Sequence, residues 1–180
     1  TVKGKKIVDL LETKLTDDQI KAFFLYSQDT SNQAMYKQVN YAFHNKIPIP
    51  IKFQTPVRHM IEAFRKSKLT KKVRLYRSIR QEAWNDLIKN GHVKFSAFMS
   101  TSISLNSVMN LKNNKHQKKK LILVLDVCPG VGAICMTNKD LSKYNKEKEI
   151  LINKDVKIST LGKYSEIDGH KFLRCEVKNE

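Results

Sequence analysis

The sequence is short of cysteine and glycine, and each shortage argues against a kind of site. Its three cysteines form no Cys-x-x-Cys pair, which argues against a disulfide framework and against a zinc ribbon. None of its six glycines lies in a glycine-rich turn between a strand and a helix, which a Rossmann-type dinucleotide site requires. The five histidines show no metal-ligand spacing, so we expect no bound metal.

Long apolar runs and acidic residues are also scarce. No stretch approaches the roughly 18 apolar residues of a membrane span, so no transmembrane helix is expected. Asp and Glu number 17 against 34 Lys and Arg, which gives a formal net charge of +17. Such a charge favours anionic partners, such as nucleic acid, a phosphorylated ligand or an acidic protein. A scattered excess of lysine is also typical of an ordinary solvated surface.

The composition is that of one folded domain over residues 1–180, since 41% of the residues are hydrophobic and 28% are charged. The first third is predicted to be helical. A capping box at residues 16–19 begins one helix, and an apolar stripe over residues 35–43 marks a second. A third is predicted to start at Pro56, with Thr55 as its cap.

The rest of the chain is predicted to be mostly strand. Strands are expected at residues 73–79, 95–103, 121–127, 132–136, 149–153, 156–160 and 172–177, with one short helix at 81–89. Helices first and strands afterwards favour an α+β fold, with N-terminal helices packed on a mainly antiparallel, two-sheet β core. We therefore expect a helical cap over residues 1–66 and a β-rich core over residues 67–180.

Three polar features interrupt the strand pattern, and the first is Arg77. Side chains alternate along a strand, so Arg77 lies on the same face as Val73, Leu75 and Ile79. An arginine that faces a core or a cleft needs an anionic partner, because burying it unpaired is costly. That partner is either a buried carboxylate or an anionic ligand, and the sequence leaves both open.

The second feature is the run Ser100-Thr101-Ser102 inside a strand. Alternation puts Ser100 and Ser102 on one face and Thr101 on the other. Such hydroxyls can hold a neighbouring carboxylate or a ligand ribose in place, although serine and threonine are also common in ordinary strands. No Gly-x-Ser-x-Gly elbow surrounds them, which argues against a serine hydrolase.

The third feature is the pair Glu147 and Glu149, at the start of a strand. Two residues apart, they point the same way with Cα atoms roughly 6.5 Å apart. Like charges at this spacing raise the pKa of one carboxyl group, which suits a site where one group accepts a proton while the other stays ionised. The alternative is a solvated acidic spot between Lys146 and Lys148.

In this order, the three features resemble the signature of the mono-ADP-ribosyltransferase toxins, specifically the arginine-directed branch typified by clostridial binary actin-modifying toxins. That signature is an arginine on an early strand, a Ser-Thr-Ser strand and a Glu-x-Glu pair at a later strand. The segment from Tyr36 to Asn40 is similar to the family's Tyr-x-x-Ile-Asn helix. The resemblance runs from about Leu15 to the C-terminus, and it implies the ADP-ribosyltransferase fold.

The resemblance also implies a role for each residue. Glu149 would be the catalytic glutamate beside the ribose of NAD, with Ser100 orienting it and Arg77 binding the NAD phosphates. Glu147 would orient or deprotonate the acceptor guanidinium, and Tyr144 would contact the target protein. The implied cofactor-binding set is Tyr36, Asn40, Arg77, Ser78, Ser100, Thr101 and Glu149, with Leu111 the nearest candidate to cover the nicotinamide.

The implied activity is NAD-dependent transfer of ADP-ribose to an arginine of a target protein, with actin as the first candidate. The domain would be a secreted or translocated effector in the target-cell cytosol, delivered by an apparatus or within a larger toxin chain. Three alternatives stay open: the same fold modifying nucleic acid, an NAD glycohydrolase, and a non-enzymatic basic nucleic-acid-binding module. Nucleic acid is the less favoured partner, because no aromatic platform is interleaved with the lysines.

Overall fold

Four helices come before the first strand, and strands dominate the rest of the chain. The computed structural model describes residues 1–11, 13–28, 31, 33–109, 119–137, 141 and 148–180. The helices in these residues are α1 (Lys6–Leu10), α2 (Asp17–Ser27), α3 (Met35–Asn45), α4 (Ile51–Lys66), α5 (Gln81–Asn90) and α6 (Leu105–Met109). The strands are β1 (Val73–Ile79), β2 (His92–Phe95), β3 (Met99–Ser102), β4 (Leu121–Val127), β5 (Ala133–Cys135), β6 (Glu149–Ile152), β7 (Val156–Thr160), β8 (Ser165–Ile167) and β9 (His170–Asn179). None of these helices is long and apolar enough to cross a membrane.

The strands follow one hydrogen-bonded path in the order β2-β7-β9-β4-β1-β3-β6-β5, with β8 paired to β9. Among the strands in the described residues, every pairing is antiparallel except that of β4 with β9. Between β1 and β3 a single pair is in register, Tyr76 with Ser102. This one link divides the path into a part that ends at β1 and a part that starts at β3. The predicted α+β class with a mainly antiparallel core is confirmed.

Two buried apolar clusters pack against the sheet. The first joins α1 and α5 to the part that ends at β1, through residues such as Leu75 and Trp84, and also includes Ile150 of the other part. Helices α2, α3 and α4 pack on the other part, where the rings of Phe64 and Phe98 stack 5.3 Å apart. The helices therefore cover the short strands next to the place where β1 and β3 separate.

Several local signals predict their elements correctly. The capping box begins α2, since Thr16 Oγ1 accepts from the Gln19 backbone N–H at 3.2 Å and the Thr16 N–H donates to Gln19 Oε1 at 3.1 Å. The strands predicted at 73–79, 121–127 and 156–160 match β1, β4 and β7. The strand predicted at 95–103 is divided instead, with β2 ending at Phe95 and β3 beginning at Met99. Three successive buried side chains, at 97–99, break the alternation that one continuous strand needs.

The predicted start of the third main helix is wrong. Helix α4 begins at Ile51, so Pro56 lies at its sixth position rather than its first. A proline there removes one backbone hydrogen bond. The buried side chains of Phe53, Val57 and Met60 continue one apolar face through the proline, and their packing extends the helix toward its N-terminus.

Candidate active site

The site begins where β1 and β3 separate. Continuing the register of Tyr76 with Ser102 would bring Ser78 opposite Ser100, but the two strands form no further registered pair. Arg77 reaches across instead, and its Nη1 donates a hydrogen bond of 2.8 Å to the carbonyl oxygen of Ser100. This bond ties the guanidinium to the backbone of β3 at the opening between the two parts of the sheet.

Arg77 is also held by an aromatic ring. Its Cζ lies 5.4 Å from the ring centroid of Phe95, a cation–π distance, and His44 of α3 packs edge-on against the same ring at 5.0 Å. Burial lowers the pKa of Arg77, while Tyr26 and Glu149 act in the opposite direction. Arginine nevertheless stays charged in proteins. Burial and the charge of Arg77 also lower the pKa of His44, which favours a neutral imidazole at pH 7.

Ser100 and Glu149 meet on one face of the β3–β6 pair. Ser102 lies opposite Glu149 and Ser100 opposite Leu151, and partners in an antiparallel pair project to the same side. The Ser100 hydroxyl donates a hydrogen bond to Oε2 of Glu149. Ser100 is exposed and Glu149 is half-buried. Two residues that the sequence assigned to one site are therefore in direct contact, and a small molecule in the opening could reach the carboxylate.

Thr101 lies on the opposite face of the same strand. It is buried, and its hydroxyl donates a hydrogen bond of 2.6 Å to the carbonyl of Ile150. The bond links β3 to β6 and leaves the side chain pointing away from the opening. This placement favours a structural role for the Thr101 side chain, whose predicted part in cofactor binding stays a prediction.

Ser78 follows Arg77 on β1, so its side chain projects from the other face of that strand. It is half-buried and lies opposite Ile122 of β4. Its backbone lies two positions beyond Tyr76, the residue of β1 that pairs with β3. Any contact that Ser78 makes with a ligand in the opening is therefore expected from the backbone.

Tyr36 and Asn40 lie one turn apart on α3, and both are half-buried. Both contact Tyr26 of α2. The Tyr36 ring packs edge-on against the Tyr26 ring at 6.3 Å, and Asn40 Nδ2 donates a hydrogen bond of 2.8 Å to the Tyr26 hydroxyl. Burial raises the pKa of Tyr26, with a further contribution from the charge of Glu149 and an opposing one from Arg77. The Tyr26–Asn40 pair therefore lies within electrostatic reach of the Arg77 and Glu149 side chains.

Sequence reasoning missed Tyr26 and Phe95. Tyr26 follows Phe23 by three residues on α2, so helical periodicity predicts that it is buried, but no local pattern indicates its bond to Asn40. Nothing in the sequence around Phe95 marks it as the ring that Arg77 contacts. Three of the predicted site residues lie outside the described residues, namely Leu111, Tyr144 and Glu147.

A comparison with protein families decides where this chain belongs. The family described as ADP-ribosyltransferase exoenzyme matches residues 3–178. The chain is a member of the ADP-ribosyltransferase exoenzyme family. The sequence prediction of an NAD-using ADP-ribosyltransferase is thereby confirmed at the level of the family. No curated protein sequence matches the chain.

Solved structures show that the fold is shared with other ADP-ribosyltransferases. C3stau2 from S. aureus, solved with NAD, is 15% identical with a TM-score of 0.67 over 98% of this chain and 93% of that one. Plx2a, an ADP-ribosyltransferase toxin from Paenibacillus larvae, is 17% identical with a TM-score of 0.70 over 98% and 93%. C2-I, the enzymatic component of the C2 toxin from Clostridium botulinum, is 16% identical with a TM-score of 0.67 over 92% and 44%. The two-part sheet with its helical cover is therefore the ADP-ribosyltransferase fold.

No metal centre is visible in the part of the chain that the structure describes. Its His, Cys, Asp and Glu side chains form no group of three or more that could hold a metal ion. The described site residues are an arginine, a serine, a glutamate and an asparagine–tyrosine pair. These groups suit a phosphorylated, ribose-containing ligand, since they offer a fixed cation, a carboxylate and neutral hydrogen-bonding groups.

Proposed function

We propose that this member of the family transfers ADP-ribose from NAD to an arginine side chain of a target protein and releases nicotinamide. The observation that carries the proposal is the contact between the Ser100 hydroxyl and the Glu149 carboxylate beside the opening that Arg77 spans. Arginine as the acceptor is supported by the Glu-x-Glu resemblance alone, because Glu147 lies outside the described residues. Actin is the first target to test.

Glu149 would stabilise the charge that develops during the reaction. When the bond between the nicotinamide nitrogen and the ribose breaks, its electron pair goes to nicotinamide and the ribose becomes oxocarbenium-like. A carboxylate fixed beside that ring stabilises the positive charge. The hydrogen bond from Ser100 holds the carboxylate in one orientation. A nitrogen of the acceptor guanidinium then bonds to the ribose carbon and loses a proton, for which Glu147 is the proposed acceptor.

Arg77 would bind the negatively charged part of NAD. A guanidinium has five N–H donors in a rigid plane, and the Ser100 carbonyl accepts from Nη1. Planar donors of this kind bind two phosphate oxygens at once. The net charge of +17 also attracts an anionic dinucleotide toward the protein.

Two further parts of the proposal concern the target and the setting. Tyr144 is proposed to contact the target protein and to stack on the incoming guanidinium. As in the family's toxins, the domain would act in the cytosol of a target cell, after delivery by an apparatus or within a larger chain. Transfer to nucleic acid and hydrolysis of NAD to free ADP-ribose are the competing activities.

The test is transfer of labelled NAD into a cell lysate by the wild type and by Glu149→Gln. We expect a labelled protein that carries ADP-ribose on arginine, and a loss of at least about 100-fold in the variant, because a group that stabilises transition-state charge is removed. Glu166→Gln is the matched control, since Glu166 is an exposed glutamate on β8. Label in nucleic acid, free ADP-ribose alone, or equal labelling by Glu149→Gln would each contradict the proposal.

A further inference from the structure

Tyr26 lies directly behind the site and joins three elements. It is 7% exposed and is the only buried tyrosine in the described part of the chain. Its ring contacts Tyr36 of α3 and packs edge-on against Phe98, the residue before β3, at 5.7 Å. A phenol placed among aromatic rings needs a partner for its hydroxyl, and Asn40 supplies that partner.

The bond to Tyr26 determines how the Asn40 amide is turned. Nδ2 faces the tyrosine hydroxyl at 2.8 Å, so the amide oxygen faces the other way. This Oδ1 atom is buried and has no hydrogen-bond partner among the described residues. A buried acceptor without a donor is unfavourable, and a bound ligand that offers an N–H or O–H group would relieve it.

The same pair is close to the proposed chemistry. The charges of Glu149 and Arg77 both act on the Tyr26 hydroxyl, while burial raises its pKa most strongly. The phenol is therefore neutral at physiological pH and remains able to accept the hydrogen bond from Asn40. Removal of the hydroxyl would free the amide to turn without disturbing the ring contacts.

We propose that Tyr26 is a positioning residue for NAD: its hydroxyl holds Asn40 Nδ2, so that Asn40 Oδ1 accepts a hydrogen bond from an N–H or O–H group of the dinucleotide. This inference rests on the proposed function, because it assigns NAD as the ligand. Tyr26 itself acts through Asn40 and does not touch the reacting atoms.

The variant that tests this inference is Tyr26→Phe, which keeps the ring and removes the hydroxyl. The affinity for NAD, measured by titration calorimetry, is expected to fall about fivefold to tenfold, the effect of one neutral hydrogen bond. The kcat of ADP-ribose transfer should change by less than about twofold, because Glu149 and Ser100 are unaltered. A general loss of structure would instead lower kcat together with affinity.

A double-mutant comparison separates positioning from packing. Asn40→Ala should weaken NAD binding by a similar factor, and the double variant should bind no worse than Asn40→Ala alone, because both changes remove the same interaction. Tyr41→Phe is the matched control, since Tyr41 lies on the same helix with 63% of its surface exposed. It is expected to bind NAD like the wild type.

Two results would overturn the inference while leaving the proposed function intact. One is a Tyr26→Phe protein with a lower melting temperature and wild-type NAD affinity, which would make the hydroxyl purely structural. The other is a double variant whose loss is the product of the two single losses, which would show that the residues act independently. If the wild type itself bound no NAD, the proposed function would fail and this inference with it.

Discussion

Two arginines on β1, three residues apart, have opposite surroundings. Arg74 donates from Nε to Oδ1 of Asp126 at 2.9 Å and from Nη2 to Oδ2 at 3.3 Å, and Arg174 of β9 donates to the same carboxylate at 2.8 Å. Asp126 is 3% exposed. Arg77 instead donates to a backbone carbonyl and lies over an aromatic ring. Within the described residues it forms no salt bridge.

These contacts distinguish a structural arginine from one that is available to a ligand. The sequence left two partners open for Arg77, a buried carboxylate or an anionic ligand, and the carboxylate arrangement is found at Arg74. A protein carboxylate already balances the charge of Arg74, whereas neutral groups hold Arg77 in position. We therefore expect Arg74 to serve stability and Arg77 to serve NAD binding, and three predictions test this division.

The largest effect on stability is expected for Asp126→Ala. Removal of the carboxylate leaves Arg74 and Arg174 without their shared partner, which should lower the free energy of unfolding by about 3 kcal/mol. Urea denaturation measures this change. NAD affinity should stay within about twofold of the wild type. Asp86→Ala is the control, since Asp86 is exposed on α5. A stability loss no larger than that of the control would contradict the structural role of the bonds between Asp126 and the two arginines.

The division of roles between the two arginines is tested most directly by the variants Arg77→Met and Arg74→Met. Arg77→Met should weaken NAD binding about 10-fold to 100-fold, because a charged, forked donor is lost, and change stability by less than about 1 kcal/mol. Arg74→Met should do the reverse, with unchanged NAD affinity and a stability loss of about 1–3 kcal/mol. Calorimetric titration with NAD and urea denaturation give the two readouts. Wild-type NAD affinity in Arg77→Met would remove Arg77 from its proposed role.

The smallest effect is expected on the pH dependence of stability. Burial alone would raise the pKa of Asp126, but the hydrogen bonds from Arg74 and Arg174 hold it below its ordinary value of 3.8. The folded state thus binds this proton less readily than the unfolded chain. The resulting stabilisation is present above about pH 4 and is lost as pH falls through the folded-state pKa. Asp126→Asn should therefore show a shallower fall in melting temperature between about pH 5 and pH 2.5. An unchanged slope would assign the acid dependence to other carboxyl groups.

The sequence predicts the elements well where the signal is local. The capping box at Thr16 and Gln19 and the alternation in β1 and β4 each involve neighbouring residues, so periodicity and hydrogen-bonding chemistry reveal them. The start of α4 is mispredicted because the proline rule is also local, whereas the burial of Phe53 is a tertiary effect. The division of the strand predicted at 95–103 has the same origin.

The candidate site shows the same limit. That Ser100 and Glu149 belong together follows from the order of the motifs and the family resemblance, but their contact depends on the register of β3 with β6. The hydrogen bond of Asn40 to Tyr26 joins two helices, and the ring under Arg77 comes from a separate strand. None of these contacts can be predicted from the spacing of neighbouring residues.

Residue types and their spacing were enough to predict the class of fold, the alternation that separates Ser100 from Thr101, and the order of motifs that indicated the family. Each of these depends on residue type and on spacing along a strand or helix. Which β1 arginine is neutralised by a carboxylate, and which tyrosine holds Asn40, could be seen only in the folded chain. Those outcomes depend on which distant elements come to lie together, because packing and strand register are set by the whole chain rather than by any one segment.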